Sequence, residues 1–555
     1  MDLVRFDGVT TALILVVFFG TMLYIVRKIA KKQEDADAYM TAGNRVGFGI
    51  SAGSMTATWI WASSMYASAT SGYLYGVSGP IHYGLWGALM ILFIYPFGRR
   101  IRAVAPKAHT LAEVMYARHG RSSQLMLAGS NVVGSVISLT SNLIAGGVLI
   151  ALLTPFEFAH GVVVIAVGLL VYTVWSGFRA SVLTDFIQVV AMLGVVIVLI
   201  PAIFLLSGFP EAFSTGAANL TPQQGSFFSS EAFLQQGAPY IAAVLAYAIG
   251  NQTIAQRLFA VREDLIRKTF VTATIGYGGT VIGMGMFGVL ALYLGMEPLD
   301  GDPNNLIPQI AATYLPTALL VGFFVLIIGS LCSTADSDLS ALSSIAMADI
   351  YGQNIAGKDK ADPRLMLLIG RLTMVAATAV ALVFASMQLD ILDLLVFVGA
   401  LWGALVFPVI ASFYWKKVTN AAFTVSVIVA LALFIPVRFQ LVALGGLLGP
   451  AVDVLSIIGV GVIAGLMTFG FFGLRAGQVV GVLATIVVTP FAFGAVHEYH
   501  VLSASLIAYS VSTLVCFGMS VNSRRSFDFD VIRQRTGNFD EKEALEPRDD
   551  RLPEA

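Results

Sequence analysis

Charge is what this sequence has least of. Only 12% of its 555 residues are Asp, Glu, Lys or Arg, against about 25% in a soluble globular chain. Hydrophobic residues make up 57%, and the mean hydropathy is +0.83. With a net charge of -1, there is no basic balance of the kind that nucleic-acid binding needs, and no nucleic-acid partner is expected. Cysteine is nearly absent. Cys332 and Cys516 both lie in apolar segments, which excludes a disulfide framework. HExxH, GxSxG and clustered metal ligands are missing as well, so neither an enzyme nor a resident metal site beyond a transported ion is expected. A long polar domain is lacking too. The tail at 523–555, ending EALEPRDDRLPEA, is charged and is predicted to be disordered and cytoplasmic. It is too short for a nucleotide-binding or kinase output domain.

What is there is a succession of apolar runs, each near the ~20 residues that a membrane helix needs. Fifteen are expected, at about 9–27, 48–73, 79–101, 124–152, 159–176, 183–207, 236–257, 269–295, 318–349, 364–387, 390–414, 421–437, 454–474, 478–495 and 500–522, with ends good to ~2–4 residues. The fold class is all-α and polytopic, with the lipid bilayer as solvent. The first run, Val9–Val26, is too long for a typical signal-peptide core and is followed by Arg27, Lys28, Lys31 and Lys32 rather than a cleavage site. Lys and Arg recur on alternate connections, from Arg99, Arg100 and Arg102 to Lys416 and Lys417 and finally Arg524 and Arg525; Arg438 is the exception. The positive-inside rule therefore predicts an integral plasma (inner) membrane protein with its N-terminus outside and its C-terminus in the cytoplasm.

Against this apolar background, SLCSTADSDLSALSSIAMADIY (Ser330–Tyr351) stands out. An aspartate at the centre of a membrane helix costs about 2.5–3.5 kcal/mol on insertion scales, and this span holds Asp336 and Asp338. At 100° per residue, Ser330, Ser333, Thr334, Ser337 and Ser344 share one face, with Asp336 and Asp338 on its flanks. Hydroxyls spaced i, i+3, i+4 can present several hard oxygens to one cation; singly, they also permit close helix packing. A second polar span, SAGSMTATWIWASSMYASATSGYLYG (Ser51–Gly76), is rich in small residues and has no Leu before Leu74. Broken helices of this composition mark binding sites near the bilayer midplane. Asp185 in SGFRASVLTDFIQ and the pair Asn251 and Gln252 in GNQTIAQR add further intramembrane polarity, and Arg257 is expected to snorkel to the cytoplasmic surface.

These stretches resemble the sodium:solute symporter family over about residues 36 to 415. ADAYMTAGNR, SGFRASVLTDFIQ, NQTIAQRLFAVRE and CSTADSDLSALSSIAMADIY are similar, in order, to its motifs. The resemblance implies the leucine-transporter fold: ten core helices as a 5+5 inverted repeat, here with one extra helix before and about four after. The implied division is 1–35 (extra helix and basic linker), 36–207 (first repeat), 208–415 (second repeat with a long outer loop), 416–522 (extra C-terminal helices) and 523–555 (tail). The implied function is secondary active transport, a sodium-coupled symport of a small solute by alternating access. Carried over by position, sodium falls on the Ala57 and Ile60 carbonyls, the Ser330 carbonyl, and the Ser333 and Thr334 hydroxyls. A second cation, or a proton, falls on Asp185, Asp336 and Ser337. Asp336 departs from the serine usual at its position, and Asp338 is given no role.

Within the family, WIWASS, YGVSGPIHY and APKAHTLAEVMYARHG most resemble the urea active transporters. Urea is planar and neutral, with four N–H donors and one carbonyl. Trp59 and Trp61 are expected to supply flat walls, and Ser64, His82, Tyr83, Asn251 and Gln252 hydrogen bonds. Proton coupling stays open, since the urea subgroup includes proton-coupled members. The alternative solute is a short monocarboxylate or another small metabolite, for which Arg371 is the nearest cation. A passive urea channel is disfavoured by the Ser333/Thr334 pair. Oligomeric state is left open.

Overall fold

The structure is a computed structural model; it describes residues 3, 5–29, 36–174, 177–357, 360–524, 526–537 and 539. The basic residues Lys31, Lys32, Lys358 and Arg525 lie outside the described residues, as do 540–555. The described chain is helical, with one isolated bridge between Val46 and Val261.

Among the described residues, thirteen helices are long and apolar enough to cross a membrane. They overlap thirteen of the expected runs, although the run at 236–257 is interrupted at Asn251. The other two expected runs have different forms. One is a 16-residue apolar helix, Phe158–Thr173. The other is broken into α1 (Phe48–Trp59) and α2 (Ala62–Tyr75).

Packing explains the composition of the broken span. Its second half, α2, lies against α3 (Ile266–Tyr293) at backbone contact. A Cβ on Gly288 would strike the Ala69 carbonyl, and one on Gly285 would strike Ser68 Oγ and Pro80. Ser68 Oγ donates to the Val281 carbonyl at 2.9 Å. Lipid tails provide no hydrophobic drive between helices, so such close approach of small residues supplies the attraction. A peripheral hairpin is built the same way. Its arms are α4 (Leu448–Phe472) and α5 (Leu474–Ala492). Gly461, Gly465, Gly477 and Gly481 meet across it, so that a Cβ on Gly477 would sit 2.6 Å from the Gly465 carbonyl.

The expectation of a disordered tail from residue 523 is corrected for its described part. A short helix, α6 (Asp530–Arg535), buries Ile532 completely. The sequence there, RSFDFDVIRQRTGNF, carries Phe527, Phe529, Ile532 and Phe539 among its charges, enough apolar surface to dock although the mean composition is polar.

Candidate functional site

The centre of the molecule is the break between α1 and α2. In an unbroken helix the Ala57 carbonyl would accept from the Trp61 N–H, and the Ile60 carbonyl from that of Ser64. Instead Trp61 N–H donates to Trp59 O at 2.9 Å and Ser64 N–H to Trp61 O at 3.0 Å. Two carbonyls are thereby released, and α7 (Thr317–Ser344) reaches both. Ser333 Oγ donates to Ala57 O at 2.7 Å, and Ser330 Oγ donates to Ile60 O. Thr334 Oγ1 donates to Thr58 O at 3.0 Å and to Ser330 O at 3.2 Å.

The five groups assigned to sodium from the sequence are thus brought together, all of them at most 1% exposed. Neutral carbonyl and hydroxyl oxygens without sulfur or nitrogen suit a hard monovalent cation. Each hydroxyl can turn its proton away and offer a lone pair, so the donor set fits.

One turn further along α7 the arrangement differs from expectation. Asp185, Asp336 and Ser337 are close together, but the guanidinium of Arg257 stands among them. Arg257 does not snorkel to a surface; it is 4% exposed and pairs with the fully buried Asp185 at 2.9 Å. It also donates to Ser337 Oγ at 2.6 Å and Ser54 Oγ at 3.1 Å. The reason is depth. Arg257 lies on a short helix, Gln252–Ala260, that starts after a second break at Asn251. From there its side chain reaches the buried Asp185 carboxylate rather than a membrane surface. Asp336 accepts from Ser337 Oγ at 3.2 Å as well as from Ser181 Oγ at 2.8 Å and Tyr172 OH at 3.4 Å, and makes no ion pair with Arg257. Asp338, left without a role by the sequence, accepts from Ser138 Oγ at 2.6 Å and ties α7 to the helix Arg121–Leu153.

Beside the break lies an aromatic cage. Trp59 and Trp61 meet edge to face at 5.6 Å, and Tyr247 closes on them at 5.8 and 6.2 Å. Ser64, Tyr83, Tyr240 and Tyr277 complete a cavity of about 20 Å³, room for about one water. Trp61 Nε1 is buried without a hydrogen-bond partner. Among the described residues, no charged side chain lines the cage.

Of the residues expected to bind solute, Trp59, Trp61, Ser64 and Tyr83 are brought together here. His82 is not; it accepts from Trp86 Nε1 at 3.1 Å and faces Phe233. Asn251 caps its own helix, accepting from Thr253 N–H at 2.7 Å. Gln252 holds the Leu111 N–H and the His109 carbonyl at 3.0 and 3.2 Å. Arg371 lines no part of the cage. Tyr240, Tyr247 and Tyr277 went unnoticed because a tyrosine in an apolar run reads as ordinary core. The available signal was the seven-residue spacing of Tyr240 and Tyr247, which puts them on one helix face.

The family model described as sodium:solute symporter family matches residues 39–430, well over half of the chain. The chain belongs to the sodium:solute symporter family. Similar proteins include the probable urea active transporter 1 of Schizosaccharomyces pombe, 24% identical over 74% of this chain and 66% of the relative. The urea-proton symporter DUR3 of Oryza sativa is 22% identical over 72% of this chain and 60% of the relative. The chain therefore spans about two thirds or less of these relatives' length. The sodium/pantothenate symporter of Escherichia coli is 25% identical over 73% of this chain and 84% of the relative. Among solved structures, a sodium-coupled sialic acid symporter in a substrate-bound outward-open state covers 86% of this chain and 97% of its own, with 17% identity and a TM-score of 0.66. That likeness shows the fold. The matched family model and these relatives are transporters rather than enzymes.

Proposed function

We propose that this symporter couples sodium entry to uptake of urea or a closely similar small neutral amide across the plasma membrane. The reading rests on one juxtaposition. A neutral oxygen cluster fit for sodium and an uncharged aromatic cage share the same helix break, Trp59 to Trp61. Sodium would be held by the Ala57, Ile60 and Ser330 carbonyls and the Ser333 and Thr334 hydroxyls. In exchange for their present hydrogen bonds, those hydroxyls would present lone pairs, drawing α7 onto the break that carries Trp59 and Trp61. Solute and ion thereby favour the same arrangement, which is what coupling requires.

The cage suits a planar neutral solute. Indole and phenol faces make flat walls, and Trp61 Nε1 is a free donor for a carbonyl oxygen. At about 20 Å³ the cavity must widen to admit urea. A carboxylate solute would need a cation or a helix N-terminus, and no Lys or Arg lines the cage. The guanidinium of Arg257 is read as a tethered cation in the second site, with Asp336 left as the group able to carry a proton. Residues 36–207 and 208–415 are read as the two inverted five-helix repeats of the leucine-transporter fold, with the N-terminus outside and the C-terminus cytoplasmic.

The test is uptake of labelled urea into proteoliposomes at equal internal and external pH, with and without an inward sodium gradient. Concentrative uptake only with sodium is expected. Concentrative uptake under a proton gradient alone would replace the coupling ion, and uptake that never exceeds equilibrium would leave only a channel. If acetate or pyruvate, but no urea analogue, competes for transport, the solute assignment falls.

A further inference from the structure

A crevice of about 710 Å³ opens where three membrane spans end together: Ser78–Val104, Glu263–Tyr293 and Leu448–Phe472. Its walls have two characters. Arg99, Arg100 and Arg267 supply three cations, against the single anion of Glu263. Among the described residues, no carboxylate lies within ion-pair distance of any of the three guanidiniums. Arg99 lies over the Tyr95 ring at 5.8 Å, and Arg100 donates to the Phe413 carbonyl at 3.2 Å. The other wall is Tyr95 and Phe471, whose rings are 6.4 Å apart, with Leu92, Pro96 and Val271 as aliphatic neighbours.

We propose that this crevice is a binding site for an anionic phospholipid of the surrounding bilayer. The argument is complementarity on both walls. Guanidinium forks bind phosphate oxygens in pairs, and basic pockets between spans at a membrane face take anionic head groups. A soluble anion would satisfy the cations but leave the aromatic wall uncovered; a zwitterionic lipid would cover the wall but offer no net charge to three arginines. Only an anionic amphiphile answers both. The site is remote from the cage and the oxygen cluster and does not depend on which solute is carried.

The experiment uses the full-length protein in nanodiscs of phosphatidylcholine with a minority of phosphatidylglycerol. Lipid retained after detergent exchange is measured by mass spectrometry. Wild type is expected to enrich phosphatidylglycerol, and each arginine changed to glutamine to lower that enrichment by about fivefold, the equivalent of about 1 kcal/mol per basic residue. Glu263→Gln, which removes the one opposing charge, is expected to raise it. This gain keeps the test decisive if the triple variant R99Q/R100Q/R267Q does not fold. Equal enrichment in wild type and the arginine variants, or no gain in Glu263→Gln, overturns the proposal. Inorganic phosphate is the second probe. If it raises the melting temperature of the protein in pure phosphatidylcholine as much as phosphatidylglycerol does, the site takes a free anion and the lipid assignment falls.

Discussion

Thr334 and Arg257 show how differently single residues can be read. Thr334 supplies one hydroxyl to a cluster with few ligands to spare. Thr334→Ala is expected to raise the sodium concentration for half-maximal uptake by about tenfold, the loss of about 1.4 kcal/mol, while maximal uptake at saturating sodium changes little. Unchanged sodium dependence in a folded variant would remove Thr334 from the site. Arg257→Gln leaves Asp185 buried without its partner, and breaking a buried pair from one side costs about 3–5 kcal/mol. Arg257→Gln/Asp185→Asn should recover part of that loss in melting temperature. A double variant as unstable as the sum of the singles would mean that the pair does not act as a unit. The hydroxyls were legible because Ser and Thr at helical spacing in an apolar run are conspicuous. The Arg257 contact was not, because an arginine near the end of a span gives no sign in the sequence of which carboxylate lies at its depth.

At the scale of elements, the first break holds the proposed site and the glycines carry the packing. That this span is broken was legible from a composition too polar and too small for lipid, but its position near Ile60 came only with the family resemblance. The cage was only half legible: the tryptophans sit in that span, but the tyrosines arrive from helices whose apolar runs look like any other. A controlled contrast tests the packing argument. Gly279 and Gly288 lie on the same helix, α3, yet a Cβ on Gly279 meets nothing within 4 Å, whereas one on Gly288 collides with the Ala69 carbonyl. Gly288→Ala should destabilise by about 1–3 kcal/mol through overpacking. Gly279→Ala should be neutral or stabilise by up to about 1 kcal/mol, since Ala is the better helix former. Melting temperatures that move together in the two variants would refute the claim that α2 and α3 meet at backbone contact.

For the whole molecule, the tail is the element that joins distant parts of one face. Arg118 lies over the Phe527 ring at 4.1 Å, and Phe527 N–H donates to the Lys416 carbonyl at 3.1 Å. Gly537 N–H donates to Glu113 at 3.4 Å and Phe539 N–H to Asp37 at 2.9 Å, with the Phe539 ring 5.4 Å from that of His109. His109 is the hub of this end, 2.7 Å from Asp37 and 3.0 Å from Glu113. Burial alone would push the imidazole down, but the two carboxylates more than offset this and raise it to about 10. A group raised on folding contributes fully below its unfolded value, about 6.5, and its contribution is lost as pH rises through the folded value. The His109 contribution to global stability should therefore be complete below about pH 6.5 and decline progressively from there towards pH 10. Melting temperatures of wild type and His109→Gln across that window read this directly: the difference between them should shrink towards pH 10, and a constant difference would show that the charged imidazole does not stabilise the fold. Truncation before residue 526 should lower the melting temperature at pH 7, because Ile532 alone buries an apolar side chain worth about 1.5–3 kcal/mol. The partners that raise His109, Asp37 and Glu113, lie outside the tail, so that deficit should be the same at pH 7 and pH 10. A deficit that shrinks at pH 10 would show that the His109 charge fastens the tail as well.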